Sequence, residues 1–277
     1  MVRRVVIEAD DSALWKVAGL RQLERLVLEI NELAIAQDEL IQVSIRWTAD
    51  VPPKKRFVPQ HPRLSRVDLR DGQPEPIDLH LTTHLFLPRG SVTLAEFAQR
   101  IETRRDWEFL KSRAQISECE KRFLRGSGKS QDGLVSRYVN RPISRTISRL
   151  LLRTPMTPSG WTLAIFILPM LGSLFLARGD YLSVVAGLLF FQLYSILDGC
   201  DGEIARAKYL ESASGRQLDT WCDTIGNLFM VLALGYGLAL TTKFYLWEGV
   251  VAAALIATNE LLLLLPGRAT KKSAGAL

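Results

Sequence analysis

The segment Asp198–Asp223 reads DGCDGEIARAKYLESASGRQLDTWCD and lies between two apolar segments long enough to enter a bilayer. Asp198 and Asp201 are three residues apart at the end of one predicted helix, and Asp219 and Asp223 are four residues apart at the start of the next. At these spacings the members of each pair share one helix face. A short turn between the two helices would bring the faces together, and with them the carboxylates.

Four carboxylates at a membrane boundary predict a bound cation, because they are costly there unless positive charge neutralises them. An all-oxygen site suits Mg²⁺ or Mn²⁺ better than zinc. Carboxylates clustered in this way can hold two ions that clamp a phosphate. The alternative is pairing with the nearby Arg206, Lys208 and Arg216. That pairing explains the charges but not the small residues at fixed positions in the segment.

The order of residue types resembles the signature of the CDP-alcohol phosphotransferase family, which the segment matches at every fixed position. The matching residues are Asp198, Asp201, Gly202, Ala205, Arg206, Gly215, Asp219 and Asp223. Proteins of this family are integral to membranes, have six transmembrane helices and are commonly homodimers. They move a substituted phosphate from a CDP-linked alcohol to an acceptor hydroxyl and release CMP. The resemblance therefore implies a membrane enzyme with a CDP-alcohol donor and a hydroxyl acceptor.

The resemblance also implies a role for each site residue. Asp198, Asp201 and Asp219 would be ligands of two Mg²⁺ or Mn²⁺ ions. Asp223 would be a ligand close to the acceptor and also the general base. Small residues would let a cytidine diphosphate approach the backbone, and arginines would offset phosphate charge. These predicted substrate-binding residues are Gly202, Ala205, Arg206, Gly215 and Arg216.

Four apolar segments predict an α-helical integral membrane domain over residues 157–265: Trp161–Ala177, Tyr181–Leu197, Ile225–Leu240 and Phe244–Leu265. Each approaches the roughly 20 residues that cross a bilayer. Lysines and arginines concentrate on one side of these segments. This predicts an inner-membrane protein whose N-terminus, aspartate segment and tail 266–277 are cytoplasmic. Because the family has two further helices, a truncated or degenerate relative that binds a CDP-alcohol or a partner without turnover is the alternative function.

The stretch Arg141–Arg153 precedes the first apolar segment, within a basic linker predicted over residues 116–156. Its arginines recur every four residues, and Ile143, Ile147 and Leu150 lie on another face. This pattern predicts an amphipathic helix on the cytoplasmic leaflet. Its arginines would bind lipid headgroups or an anionic acceptor, and a solvated charged face is the alternative.

Two stretches beside that helix resemble one branch of the family. Asp132–Ser144 reads DGLVSRYVNRPIS, and Thr157-Pro158-Ser159 follows before the first apolar segment. The branch includes di-myo-inositol-phosphate-phosphate synthases fused to an inositol-phosphate cytidylyltransferase, and it usually continues Thr-Pro-Asn. The resemblance favours a phosphorylated polyol such as inositol phosphate as the acceptor, while glycerol phosphate and a lipid hydroxyl stay open.

Residues 1–115 alternate short strand-like and helix-like runs, which predicts a small cytoplasmic α/β domain. The predicted strands are Val2–Ile7, Ile41–Trp47, Val67–Leu69 and Leu79–Leu87, and the predicted helices are Leu20–Ala36 and Thr93–Arg104. Leu14–Val27 resembles the segment after the phosphate loop of sugar nucleotidyltransferases. The Gly-rich loop itself and a metal-binding aspartate are missing. This predicts a nucleotidyltransferase-like domain without catalysis, and an unrelated α/β domain is the alternative.

Composition and residue spacing indicate which binding partners and cross-links the sequence favours. The chain has 277 residues, of which 48% are hydrophobic, and a net charge of +6. Basic residues concentrate over residues 98–153, where anionic lipid explains them better than nucleic acid. Three cysteines without paired spacing predict no disulfide framework. His80 and His84 would lie about 13 Å apart along a strand, which argues against a shared metal site.

Overall fold

The computed structural model describes residues 4–70, 78–86, 109–126 and 133–264. The chain forms two compact units. The first comprises residues 1–129, 149–154 and 206–210, and the second comprises residues 130–148, 155–205 and 211–277. The predicted helix Thr93–Arg104 lies outside the described residues.

Parallel strands form the sheet of the first unit. They are β1 (Arg4–Ala9), β4 (Ile41–Trp47), β5 (Val67–Arg70) and β6 (Leu79–Thr82). Their order in the sheet is β5-β4-β1-β6, and every neighbouring pair is parallel. This sheet and its helices confirm the predicted small α/β region, with strand ends that differ by a few residues.

Helix α1, Gln22–Ala36, lies between β1 and β4 in the chain, where a parallel pair needs a crossover. The sequence predicts a helix from Leu20, whereas strand β3 (Leu20–Arg21) pairs with strand β2 (Lys16–Val17) just before α1. The predicted apolar face of α1 is buried in the core with side chains of the sheet. Its residues are Leu23, Leu26, Val27, Ile30 and Leu33. A second helix of this unit, α2, spans Ile116–Gly126.

Strand β6 ends at Thr82, earlier than the sequence pattern predicts. His84 therefore lies in the turn that follows the strand, where its Nε2 atom is 2.7 Å from Asp10 Oδ2. Burial alone would raise the pKa of Asp10, but hydrogen bonds from Ser12 and the nearby His84 hold this pKa below its usual value. His84 thus belongs to a local pair with Asp10. The predicted placement of His84 in the same strand as His80 is therefore wrong.

Helices make up most of residues 141–264. They are α3 (Arg141–Leu151), α4 (Pro158–Ile165), α5 (Ile167–Leu176), α6 (Tyr181–Lys208), α7 (Ala213–Ala239) and α8 (Phe244–Leu264). A π-helical turn, Ser136–Asn140, leads into α3.

Three helical segments of the described chain are long and apolar enough to cross a membrane: Pro158–Leu176, which joins α4 and α5, then α6, and then α7. The sequence predicts four such segments. The fourth is present as helix α8 but is not among these three. Helix α8 carries Glu248, Asn259 and Glu260, which interrupt its apolar character. The membrane domain is therefore confirmed with three candidate spans.

The first span is interrupted near its middle. Helix α4 ends at Ile165, four residues before Pro169, and α5 begins at Ile167. A proline lacks the amide hydrogen and its ring clashes with the carbonyl group four residues earlier. Pro169 therefore explains the break between α4 and α5.

Helices α7 and α8 pack through glycine. A Cβ atom added to Gly235 would lie 2.8 Å from Gly249 Cα, and one added to Gly249 would lie 3.0 Å from Gly235 Cα. Such small residues let the backbones of membrane helices approach closely. The contact fixes α8 against α7, the second of the two helices that carry the aspartates.

Candidate active site

Helices α6 and α7 carry the four aspartates. Asp198 and Asp201 lie on α6, which continues beyond them, and Asp219 and Asp223 lie near the start of α7. The connection between the two helices is only four residues, 209–212. This is the helix–turn–helix arrangement that the spacing of the aspartates predicts.

Three of the carboxylates come together. One oxygen atom from each of Asp198, Asp201 and Asp219 lies within 4.8 Å of the others. The Oδ1 atoms of Asp198 and Asp219 are buried and accept no hydrogen bond from the described residues. Buried carboxylate oxygens without a partner are costly. An all-oxygen cluster with such atoms fits a hard divalent cation.

Asp201 is held by a residue of another helix. Thr162 on α4 donates its hydroxyl to Asp201 Oδ2 at 2.7 Å, and Thr162 is 2% exposed. The neighbouring Trp161 donates its Nε1–H to the backbone oxygen of Leu197 at 2.9 Å. These two hydrogen bonds fasten α4 to α6 beside the carboxylate cluster.

Asp223 is not in the three-carboxylate group found among the described residues. Its Oδ1 atom accepts a hydrogen bond of 2.9 Å from the hydroxyl of Tyr194 on α6. Tyr194 is 7% exposed and lies one helical turn before Asp198. Asp223 on α7 is thus held from α6 by Tyr194, one helical turn from Asp198.

Comparison with known proteins identifies the membrane half. Residues 156–274 match the family model described as CDP-alcohol phosphatidyltransferase. Over these residues the chain is similar to the CDP-alcohol phosphatidyltransferase family. The match spans the whole aspartate segment together with helices α6 and α7.

Individual relatives confirm the resemblance to one branch of the family. A bifunctional IPC transferase and DIPP synthase of Rubrobacter xylanophilus is 39% identical over 125 residues, which are 44% of this chain and 28% of that relative. A protein of the same description from Archaeoglobus fulgidus is 36% identical over 124 residues, 44% of this chain and 24% of the relative. The inner membrane protein YnjF of Escherichia coli is 33% identical over 131 residues, 47% of this chain and 61% of that protein. The chain therefore spans about a quarter of the length of the first two relatives.

The small residues of the family segment lie in close surroundings. The backbone N–H of Gly202 donates to Asp201 Oδ1. At the start of α7, Gly215 N donates to Ser212 Oγ at 3.0 Å, which caps the helix. A Cβ atom on Gly215 would lie 3.7 Å from Ser159 Oγ, so the serine that replaces the branch's asparagine is close to this glycine. The remaining predicted substrate residues lie on the same helices: Ala205 and Arg206 on α6, and an exposed Arg216 on α7.

The burial of side chains along helix α3 differs from the prediction that its arginines face outward. Arg141 is buried instead of facing lipid headgroups, and its Nη1 atom lies 3.5 Å from Oε1 of the buried Glu203. Ser144 also donates to this Glu203 oxygen, at 3.1 Å. The apolar residues Ile143 and Leu150 are exposed in turn, at 43% and 60%. The polar face of α3 therefore packs inward, because Glu203 provides a buried partner, and the apolar face is left available to lipid.

A cavity of about 710 Å³ adjoins the aspartates. Asp198 and Asp223 lie at its wall with Tyr194, and Gln192, Ser195 and Asn227 add further polar groups. The remaining lining is mainly aliphatic and aromatic. Asn140 holds part of the polar wall, since its amide donates to Ser195 Oγ at 3.1 Å and its carbonyl oxygen accepts from Gln192 at 3.0 Å. The space is large enough to admit a small molecule beside Asp223.

Thr162, Tyr194 and Glu203 were not among the site residues that the sequence predicts. Tyr194 carries a usable signal, because it precedes Asp198 by four residues and therefore shares its helix face. Thr162 gives no such signal, since its partner Asp201 is 39 residues away in the chain.

Proposed function

We propose that this protein transfers a substituted phosphate from a CDP-linked alcohol to an acceptor hydroxyl and releases CMP. The observation that carries the proposal is the cluster of Asp198, Asp201 and Asp219 on a paired α6 and α7, within a segment that matches the family. The cavity beside Asp223 supports it, because an acceptor needs room at that carboxylate.

The donor would bind at the cluster. Asp198, Asp201 and Asp219 would hold Mg²⁺ or Mn²⁺, with two ions in all and Asp223 as a further ligand near the acceptor. Bound divalent cations supply charge neutralisation for the diphosphate. Gly202, Ala205 and Gly215 would leave room for the cytidine diphosphate, while Arg206 and Arg216 would offset its negative charge.

The acceptor would react beside Asp223, which acts as the general base. Asp223 takes the proton from the acceptor hydroxyl, and the acceptor oxygen forms a bond to the β-phosphorus of the donor. The bond from that phosphorus to the oxygen bridging the two phosphates breaks, and the bridging oxygen leaves with CMP. Catalysis would rest on positioning and charge stabilisation.

A phosphorylated polyol is the proposed acceptor class. The relatives are described as IPC transferases and DIPP synthases, and the stretch Asp132–Ser144 resembles the same branch. The polar wall formed by Gln192, Ser195 and Asn227 offers hydrogen-bonding groups to a polyol. CDP-inositol with inositol phosphate is therefore the first substrate pair to test, and CDP-diacylglycerol is the comparison donor. A homodimer remains a prediction.

Removal of divalent cations should abolish the activity. We expect no CMP release from the full chain in detergent when EDTA is present, because the carboxylate cluster would repel the donor diphosphate. Mg²⁺ or Mn²⁺ in excess over EDTA should restore the release. Full activity in EDTA, with no metal detected in the protein by elemental analysis, would contradict the proposed role of the cluster.

The proposed orientation places the turn between α6 and α7 in the cytoplasm, since Lys and Arg concentrate on that side. We expect a membrane-impermeant thiol reagent to label Arg178→Cys and Lys243→Cys in intact cells, on a background without the native cysteines. Ser214→Cys, at the exposed start of α7, should react only after the cells are opened. Labelling of Ser214→Cys in intact cells would reverse the orientation.

A further inference from the structure

Two hydroxyl groups from outside the aspartate segment each hold a different aspartate. Tyr194 donates to Asp223 Oδ1 at 2.9 Å, and Thr162 donates to Asp201 Oδ2 at 2.7 Å. Both donors are nearly buried, at 7% and 2% exposure. Their partners differ, because Asp201 belongs to the three-carboxylate cluster and Asp223 does not.

A carboxylate needs such a donor to keep one orientation. The last torsion of an aspartate side chain is broad and roughly two-fold, so packing alone does not fix the carboxylate plane. A hydrogen bond from a hydroxyl to a carboxylate is a strong, charge-assisted one. Tyr194 comes from α6 and reaches Asp223 on α7, so it fixes the carboxylate across the helix pair.

The location of Tyr194 gives this bond a functional consequence. Tyr194 and Asp223 both line the cavity beside the cluster. An acceptor in that cavity must meet a correctly turned Asp223 carboxylate, and misplacement by about 1 Å in an active site can lower a rate by about 100-fold. Thr162 instead orients Asp201, whose carboxylate oxygen belongs to the three-carboxylate cluster.

We propose that Tyr194 is the positioning residue of Asp223 for the acceptor step, whereas Thr162 is the positioning residue of Asp201 for cation binding. This assignment rests on the proposed function. The Tyr194–Asp223 hydrogen bond is then read out by turnover, and the Thr162–Asp201 hydrogen bond by cation affinity. Loss of the Tyr194 hydroxyl slows turnover and weakens cation binding far less than loss of the Thr162 hydroxyl does. Loss of the Thr162 hydroxyl weakens cation binding first.

The test compares Tyr194→Phe with Thr162→Val in the full chain purified in detergent. Two quantities are measured: the affinity for Mn²⁺ alone, from electron paramagnetic resonance without donor, and the kcat and KM for CMP release with CDP-inositol and inositol phosphate. We expect Tyr194→Phe to lower kcat about 10–100-fold and to weaken Mn²⁺ binding far less than Thr162→Val does, because Asp223 is only the further ligand near the acceptor. Thr162→Val should weaken Mn²⁺ binding by about 10–100-fold, and Thr162→Ser should restore it.

Two controls separate positioning from general damage. Tyr236→Phe makes the same change at an exposed tyrosine of α7 and should leave both quantities unchanged. The double variant Tyr194→Phe/Asp223→Asn should be no slower than Asp223→Asn alone, because Tyr194 acts through that carboxylate. If Tyr194→Phe lacks a cooperative thermal transition, Tyr194→Met, which also lacks the donor, replaces it.

Three results would overturn the assignment. A wild-type kcat in Tyr194→Phe would show that the hydrogen bond between Tyr194 and Asp223 has no role in turnover. Equal loss of Mn²⁺ affinity in Tyr194→Phe and Thr162→Val would show that the two residues do not have different roles. Additive losses of kcat in the double variant would show that Tyr194 does not act through Asp223. A wild-type chain that binds Mn²⁺ but releases no CMP with any donor would instead refute the proposed function itself, and the role of Tyr194 with it.

Discussion

Asp201→Asn is expected to abolish CMP release and to weaken Mn²⁺ binding more than any change in a neighbouring hydrogen-bond donor. Asp201 contributes an oxygen to the three-carboxylate cluster and holds Thr162 and the Gly202 amide as partners. The substitution removes one negative charge from an all-oxygen site that suits hard cations. Loss of a residue that only supports a ligand costs about 10–100-fold in affinity, so the loss of the ligand should exceed that range.

Asp180→Asn is the matched control for this experiment. Asp180 lies just before α6, where its carboxylate accepts a hydrogen bond from Ser183 N at 3.0 Å. Hydrogen bonds from the Ser183 side chain and, next, from its backbone amide hold the pKa of Asp180 below its usual value. Asparagine caps helices about as well as aspartate, so Asp180→Asn should bind Mn²⁺ like the wild type. Unchanged Mn²⁺ affinity in Asp201→Asn would remove Asp201 from the cation site.

Asp223→Asn is expected to slow turnover by about 10²–10⁴-fold, the usual range for loss of a general base. Asparagine keeps the size of the side chain and can still accept a hydrogen bond from Tyr194, but it cannot take the acceptor's proton. The affinity for CDP-inositol, measured by equilibrium binding without acceptor, should fall far less. Turnover close to that of the wild type would exclude Asp223 as the base.

The aspartate geometry could be predicted from the sequence because it depends on local spacing. Separations of three and four residues place Asp198 with Asp201, and Asp219 with Asp223, on single faces of helices that a short turn then joins. The burial of the α1 core face follows from the same kind of periodicity. Both features need only the helical repeat and the chain's nearest turns.

Features that depend on partners far along the chain could not be predicted. The stripe of arginines in α3 predicts a charged outer face, but Arg141 is buried with Glu203, which lies 62 residues later. Thr162 meets Asp201 only because α4 packs against α6. In each case the deciding interaction is a tertiary contact.

The fate of the donor's β-phosphate tests the central claim most directly. The full chain is incubated with Mg²⁺, inositol phosphate and CDP-inositol that carries ³²P in its β-phosphate. The account predicts that the label appears in a phosphodiester containing both inositol groups, with one CMP released for each product molecule and none in the Asp201→Asn variant. Label that stays in the donor with every acceptor tried, or CMP release without label in an acceptor product, would contradict a phosphotransferase.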